Sequence, residues 1–144
     1  MTEEIKIDGL DELDKKFKEL DVITGQKVLR RALMWAATPM HKAMKESAPE
    51  GTDTEYLERK NKQKKPTSLK DGTKKWSEKA DGEHSATVNV GYRMRRHWYA
   101  GLLELGTRHI APKGWMRRAA NQYWQETVVR FKKRLRWHFK KLEK

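Results

Sequence analysis

Ile5 and Ile7 alternate with charged neighbours in EEIKIDG, the period of a half-buried strand, so the chain is expected to open with a short one. The period then lengthens. In GLDELDKKFKEL, Leu10, Leu13, Phe17 and Leu20 recur at helical spacing, with Asp8 or Asp11 available to cap the start. A longer helix is predicted from about Thr24 to Ser47, with Val28, Leu29, Ala32, Leu33, Ala36, Met40, Ala43 and Met44 on one stripe. Pro39 falls inside that run, where it removes a donor and crowds the preceding turn, so a kink or break is expected near Ala36.

Periodicity fades over residues 48–75, which read as a long loop or arm rich in Lys, Thr, Glu and Gly. Two runs around Asp81-Gly82 then suggest a tight hairpin, with Trp76, Val88, Val90 and Tyr92 on its inward face. A short helix is predicted from Trp98 to Leu105, with Gly106 as its left-handed terminator. After Pro112, a final helix from about Gly114 to Leu142 carries Met116, Ala120, Tyr123, Thr127, Val128, Phe131, Leu135, Phe139 and Leu142 on one stripe. At about 1.5 Å per residue it would span roughly 40 Å and extend past the body of a small domain. These elements make an α+β domain: two N-terminal helices, a small antiparallel sheet, a long C-terminal helix packed across it, and an extended arm.

A chain of 144 residues is the length of one domain, and 1–144 is read as one. Hydrophobic residues make up 36% and charged residues 37%, so the core is lean and some burial is expected to come from neighbours. No cysteine is present, which excludes disulfide frameworks, thiolate nucleophiles and cysteine zinc sites. The acidic start lacks the apolar region of a signal peptide, and no run is long and apolar enough for a membrane span, so no membrane partner is expected. The net charge of +13 is polarised: residues 1–24 carry 4 basic and 8 acidic residues, and residues 114–144 carry 10 basic and 2 acidic. That polarity suits a polyanion partner or head-to-tail contacts between copies.

His41, His84, His97, His109 and His138 are scattered without metal-ligand spacing, so no metal or other cofactor is expected. Glu104, near His97 and His109, invites a general-base reading, but a structural role outweighs it: pairing with Arg108 or capping backbone groups. No phosphate loop, nucleophile elbow or carboxylate cluster is present, and a non-enzymatic protein is expected. RFKKRLRWHFKK interleaves basic and aromatic residues as phosphate-binding segments do, which makes a DNA-binding protein acting through its C-terminal helix the alternative function. Arg93, Arg95, Arg96, Arg130, Lys132, Lys133, Arg134 and Arg136 are the candidate DNA-facing or partner-facing cations, against a solvated amphipathic helix and a salt-bridging rim.

The order of the pieces resembles the small tail-component and neck family of tailed bacteriophages, typified by the tenth gene product of a lambdoid phage. IDGLDELDKKFKEL is similar to the family's opening strand and helix, ALMWAATPMHKAMKESAP to its second helix, and SLKDG to the segment leading into its first hairpin strand. VNVGY followed by WYAGLLELGT resembles its most recognisable box, and APKGWMRRA stands at the opening of its last helix. The chain departs from the pattern in EGTDTEYLERKNKQKKPT, a longer arm, and in Trp115-Met116-Arg117-Arg118, which lacks a second proline.

The resemblance implies a structural virion protein at the head–tail junction, a neck, tail-completion or tail-terminator component assembled as a ring, hexameric or similar. Its partners would be other connector and tail-tube proteins, with genomic DNA passing through the lumen. It would reside in the virion, and in the host cytoplasm during assembly. The residues of the matching motif are Trp98, Tyr99, Glu104, Gly106, Thr107, Pro112, Trp115 and Arg117. In this reading Trp98 and Tyr99 pack, Glu104 anchors the short helix, Gly106 permits the reversal, and the arm and strand edges reach a neighbouring subunit.

Overall fold

The computed structural model describes residues 10–49, 69–79, 82, 85–93 and 97–142. Its elements run in the order α1 (Leu10–Lys18), α2 (Val22–Ala36), α3 (Thr38–Ser47), α4 (Leu69–Gly72), β1 (Lys74–Glu78), β2 (Thr87–Gly91), α5 (Tyr99–Leu105) and α6 (Trp115–Leu142). The fold is α+β, as the periodicities indicate. The strand expected at the N-terminus, and residues 50–68 of the expected arm, lie outside the described residues.

Pro39 divides the long N-terminal helix where the sequence places the break: α2 stops at Ala36, and Pro39 sits in the first turn of α3. Val28, Ala32 and Ala36 of α2 are buried at spacings of four, the inner stripe of an amphipathic helix. The arm ends earlier than expected. Leu69 is buried and α4 turns directly into β1, so residues 69–75 belong to the body of the protein.

β1 and β2 pair antiparallel from Lys74↔Gly91 to Glu78↔Thr87. Two expectations change with that register. The connection spans residues 79–86, too long for a two-residue turn at Asp81-Gly82, and Asp81 itself lies outside the described residues. Lys75 opposes Val90 and Ser77 opposes Val88, while Trp76 opposes Asn89, so Trp76 is on the sheet face away from Val88 and Val90. Trp76 instead donates its indole N–H to Glu78 Oε1 at 3.1 Å and lies under the Arg93 guanidinium.

Two core clusters hold the elements together. The first joins Leu13, Val28, Ala32, Leu135 and Phe139, and the second joins Met44, Ala48, Leu69, Ala100, Trp115 and Ala119, with Val90, Tyr92 and Met116 against it. α6 serves both. At about 100° per residue, Trp115 and Ala119 lie roughly half a turn around the helix from Leu135 and Phe139, so the buried direction rotates along its length. The single stripe expected for α6 is therefore divided: Tyr123, Thr127 and Val128 are half-buried, and Leu142 is exposed. Nor does the helix overhang the body by several turns, because Leu135 and Phe139, near its end, are packed by α1 and α2. α6 runs chiefly along α2 and α3, and its first turn meets the sheet where Met116 lies beside Gly91.

Candidate interaction site

The segment from α5 to the start of α6 forms a corner in which each helix end satisfies the other. A helix leaves its last carbonyls and first amides without internal partners. Here the carbonyls of Leu103 and Glu104 accept from the amides of Lys113 (2.9 Å) and Gly114 (3.3 Å). In return the Glu104 carboxylate accepts from the first turn of α6, Oε2 from the Met116 amide at 3.0 Å and Oε1 from the Arg117 amide at 2.9 Å. A carboxylate at the positive end of a 28-residue helix makes charge-assisted bonds and complements the helix dipole. Both oxygens are committed to backbone donors, so Glu104 is a helix cap. Arg108 is exposed, and Glu104 takes the backbone-capping course rather than pairing with it.

Gly106 ends α5, but not in the left-handed helical conformation expected. Its φ of 76° and ψ of 165° place it in a region that only glycine occupies at ease. A left-handed cap would fold the chain back onto α5, whereas here the Lys113 and Gly114 amides close its carbonyls and the chain leaves in an extended direction. Space enforces the same choice, since a Cβ on Gly106 would lie 2.8 Å from Pro112 N and 2.9 Å from the Ile110 carbonyl oxygen. Thr107 closes the loop that follows: its amide bonds the Ile110 carbonyl at 2.8 Å and its hydroxyl accepts from the Ile110 amide at 3.1 Å.

The aromatic residues of the motif divide. Trp115, 1% exposed, anchors the start of α6 in the second core with Tyr92 edge-on at 6.2 Å, although its indole N–H finds no acceptor among the described residues. Tyr99 is half-buried, and burial, then Tyr92, raises its phenol pKa. Trp98 does not pack inward as expected: α5 turns Tyr99, Ala100 and Leu103 to the core, leaving the opposite face to solvent. On that face Trp98, Leu102 and Leu105, spaced i, i+4, i+7, are 56%, 43% and 81% exposed. Arg117 is exposed, with only its backbone amide engaged by Glu104.

His97 and His109 do not converge on Glu104. His97 is buried with its ring against Gly72, where a Cβ would collide with the imidazole, and Tyr92 and Tyr99 flank it at 5.7 and 6.1 Å. His109 is exposed. Thr73, beside Gly72, is buried, with its hydroxyl between the Leu69 carbonyl and Tyr92 Oη. Among the described residues, no three His, Asp or Glu side chains are grouped to hold a metal ion, and no helix is long and apolar enough to cross a membrane.

The candidate cations also divide. Arg95 and Arg96 lie outside the described residues; Arg93, Lys133 and Arg136 are exposed, and Lys132 is half-buried. Arg130 and Arg134 lean inward over Trp35, their guanidinium carbons 3.8 and 5.3 Å from its ring centre. The proline break explains this gathering. Pro39 has no amide to offer the Trp35 carbonyl, which accepts instead from a backbone amide at the cap of α2 and from Arg130 Nη2 at 3.2 Å. The neighbouring Met34 carbonyl accepts from Lys75 Nζ at 2.7 Å, which also bonds Thr38 Oγ1. Burial, then Arg130, lowers the Lys75 pKa below 10.5. Lys75 and Trp35 do not stand out in the sequence; the one signal for them is a proline four residues after Trp35, which removes the usual helical donor to its carbonyl.

No family model, curated protein or solved structure matches this chain.

Proposed function

We propose that this protein is a non-enzymatic ring subunit at the head–tail junction of a tailed bacteriophage, where it joins the capsid connector to the tail tube. The observation that carries the reading is the outward face of α5. Glu104 and Gly106 fix α5 rigidly against α6, yet Trp98, Leu102 and Leu105 are left in water on its other side. A tethered helix with an uncovered apolar stripe suits a subunit that completes its burial against the next copy. The lean composition, and the motif of VNVGY at the end of β2 and YAGLLELGT, the second of which builds this corner, support the same role.

Tagging the chain in a particle-producing host and reconstructing purified particles tests the proposal. The expected result is a closed ring of this chain between capsid and tail. Leu105→Asp, at an exposed position that leaves the melting temperature unchanged, should yield unjoined heads and tails. Purified particles that lack the chain would overturn the reading.

A further inference from the structure

The cations gathered at the break between α2 and α3 form a strip that the ring role does not use. Lys75 from β1, Arg130 and Arg134 from α6 and Arg31 from α2 surround Trp35 and His138, and Lys141 extends the strip along α6. Its negative counterpart inside the protein is small. The C-terminal carbonyls of α2 supply about half an elementary charge, against three full charges on Lys75, Arg130 and Arg134. None of these three forms an ion pair with a carboxylate among the described residues, and the Nε groups of both arginines are buried without an acceptor. α2 contains no acid, and α6 sets one, Glu126, against nine lysines and arginines. The strip therefore carries positive charge that an external anion would neutralise.

The aromatic rings decide what kind of anion fits. Trp35 carries Arg130 and Arg134, and Trp137 carries Arg134 at 4.4 Å and Lys141 at 5.1 Å. Rings occupied by cations are not open platforms for unstacked bases, which argues against single-stranded nucleic acid. Instead the stacking orients the guanidinium planes, the geometry suited to phosphate oxygens. An array of positive charge on three elements matches a regular line of phosphates better than a single small anion.

We propose that the strip of Arg31, Lys75, Arg130, Arg134 and Lys141 binds the phosphate backbone of double-stranded DNA without reading its sequence. The contact is independent of ring formation, so the α5 variant Leu105→Asp keeps it.

Fluorescence anisotropy of a labelled mixed-sequence duplex, with the full chain titrated between about 50 and 200 mM salt, tests this. Arg31 and Lys141 are exposed, so Arg31→Gln with Lys141→Gln removes two strip charges without disturbing the core, as an unchanged melting temperature verifies. The expected result is binding weakened about tenfold or more, with the log–log salt slope reduced by about two. Lys113→Gln with Arg118→Gln, the same charge loss at the start of α6, where Arg118 lies about 18 Å from Arg130 and about 35 Å from Lys141 along the helix axis, should change affinity far less. A second duplex of unrelated sequence should bind equally. Equal losses from the two double variants would overturn the proposal in favour of diffuse charge attraction. No duplex binding at the lowest salt would overturn it outright. Strip-dependent binding of poly-glutamate but not of duplex would assign the surface to an acidic protein instead.

Discussion

At Gly106 backbone conformation and neighbours demand the same residue. The φ of 76° with ψ of 165° is costly for any residue with a Cβ, and that Cβ would press on backbone atoms of Ile110 and Pro112 that cannot rotate away. Gly106→Ala should therefore destabilise by about 2 kcal/mol or more, read as a lower urea midpoint at constant m. Glu104 lies at the other pole of the corner. Glu104→Gln keeps the length and one acceptor oxygen but removes the charge facing the α6 terminus, so a loss of about 1 kcal/mol is expected. Equal unfolding midpoints for wild type and variant would mean that the carboxylate adds nothing at the cap. The sequence pointed to both residues: a glycine closing a helical run, and a lone acid before a proline and a long amphipathic segment. It did not show that Glu104 reaches α6 rather than serving α5, because a bond spanning 12 residues depends on how the chain turns back.

Among the elements, local signals were read well and relative placement was not. Pro39 acts within its own turn, so the break between α2 and α3 was legible. The sheet face of Trp76 was not. Alternation says which residues of one strand share a face but not which face of the partner strand they join, and the longer 79–86 connection shifts that register. For α6, one periodic stripe was visible, but two cores claim nearly opposite sides of the helix, and neither core is local in sequence. The outward stripe of α5 was hidden for a related reason. Trp98, Leu102 and Leu105 have the spacing of a buried face, and only the packing of Tyr99, Ala100 and Leu103 shows that the other side was chosen.

Across the whole molecule, like charges are concentrated where α6 meets α2, and His138 reports on that concentration. Burial, then Arg134, Arg31 and Lys141, hold its imidazole below 6.5, and its Nε2 has no partner among the described residues. The unfolded chain takes up this proton near its ordinary value, whereas the folded chain resists it. Between the two values the unfolded state binds more protons, so stability rises with pH there. Its contribution is complete above 6.5 and is lost as pH falls through the folded value. His138→Phe keeps a ring against Trp137, which the imidazole meets edge-on at 4.9 Å, and removes the titration. On acidification from pH 7 to about 5, the melting temperature of wild type should fall more steeply than that of the variant. Parallel curves would show that the cationic surroundings do not restrain His138, and would weaken the case that the strip's charge is uncompensated.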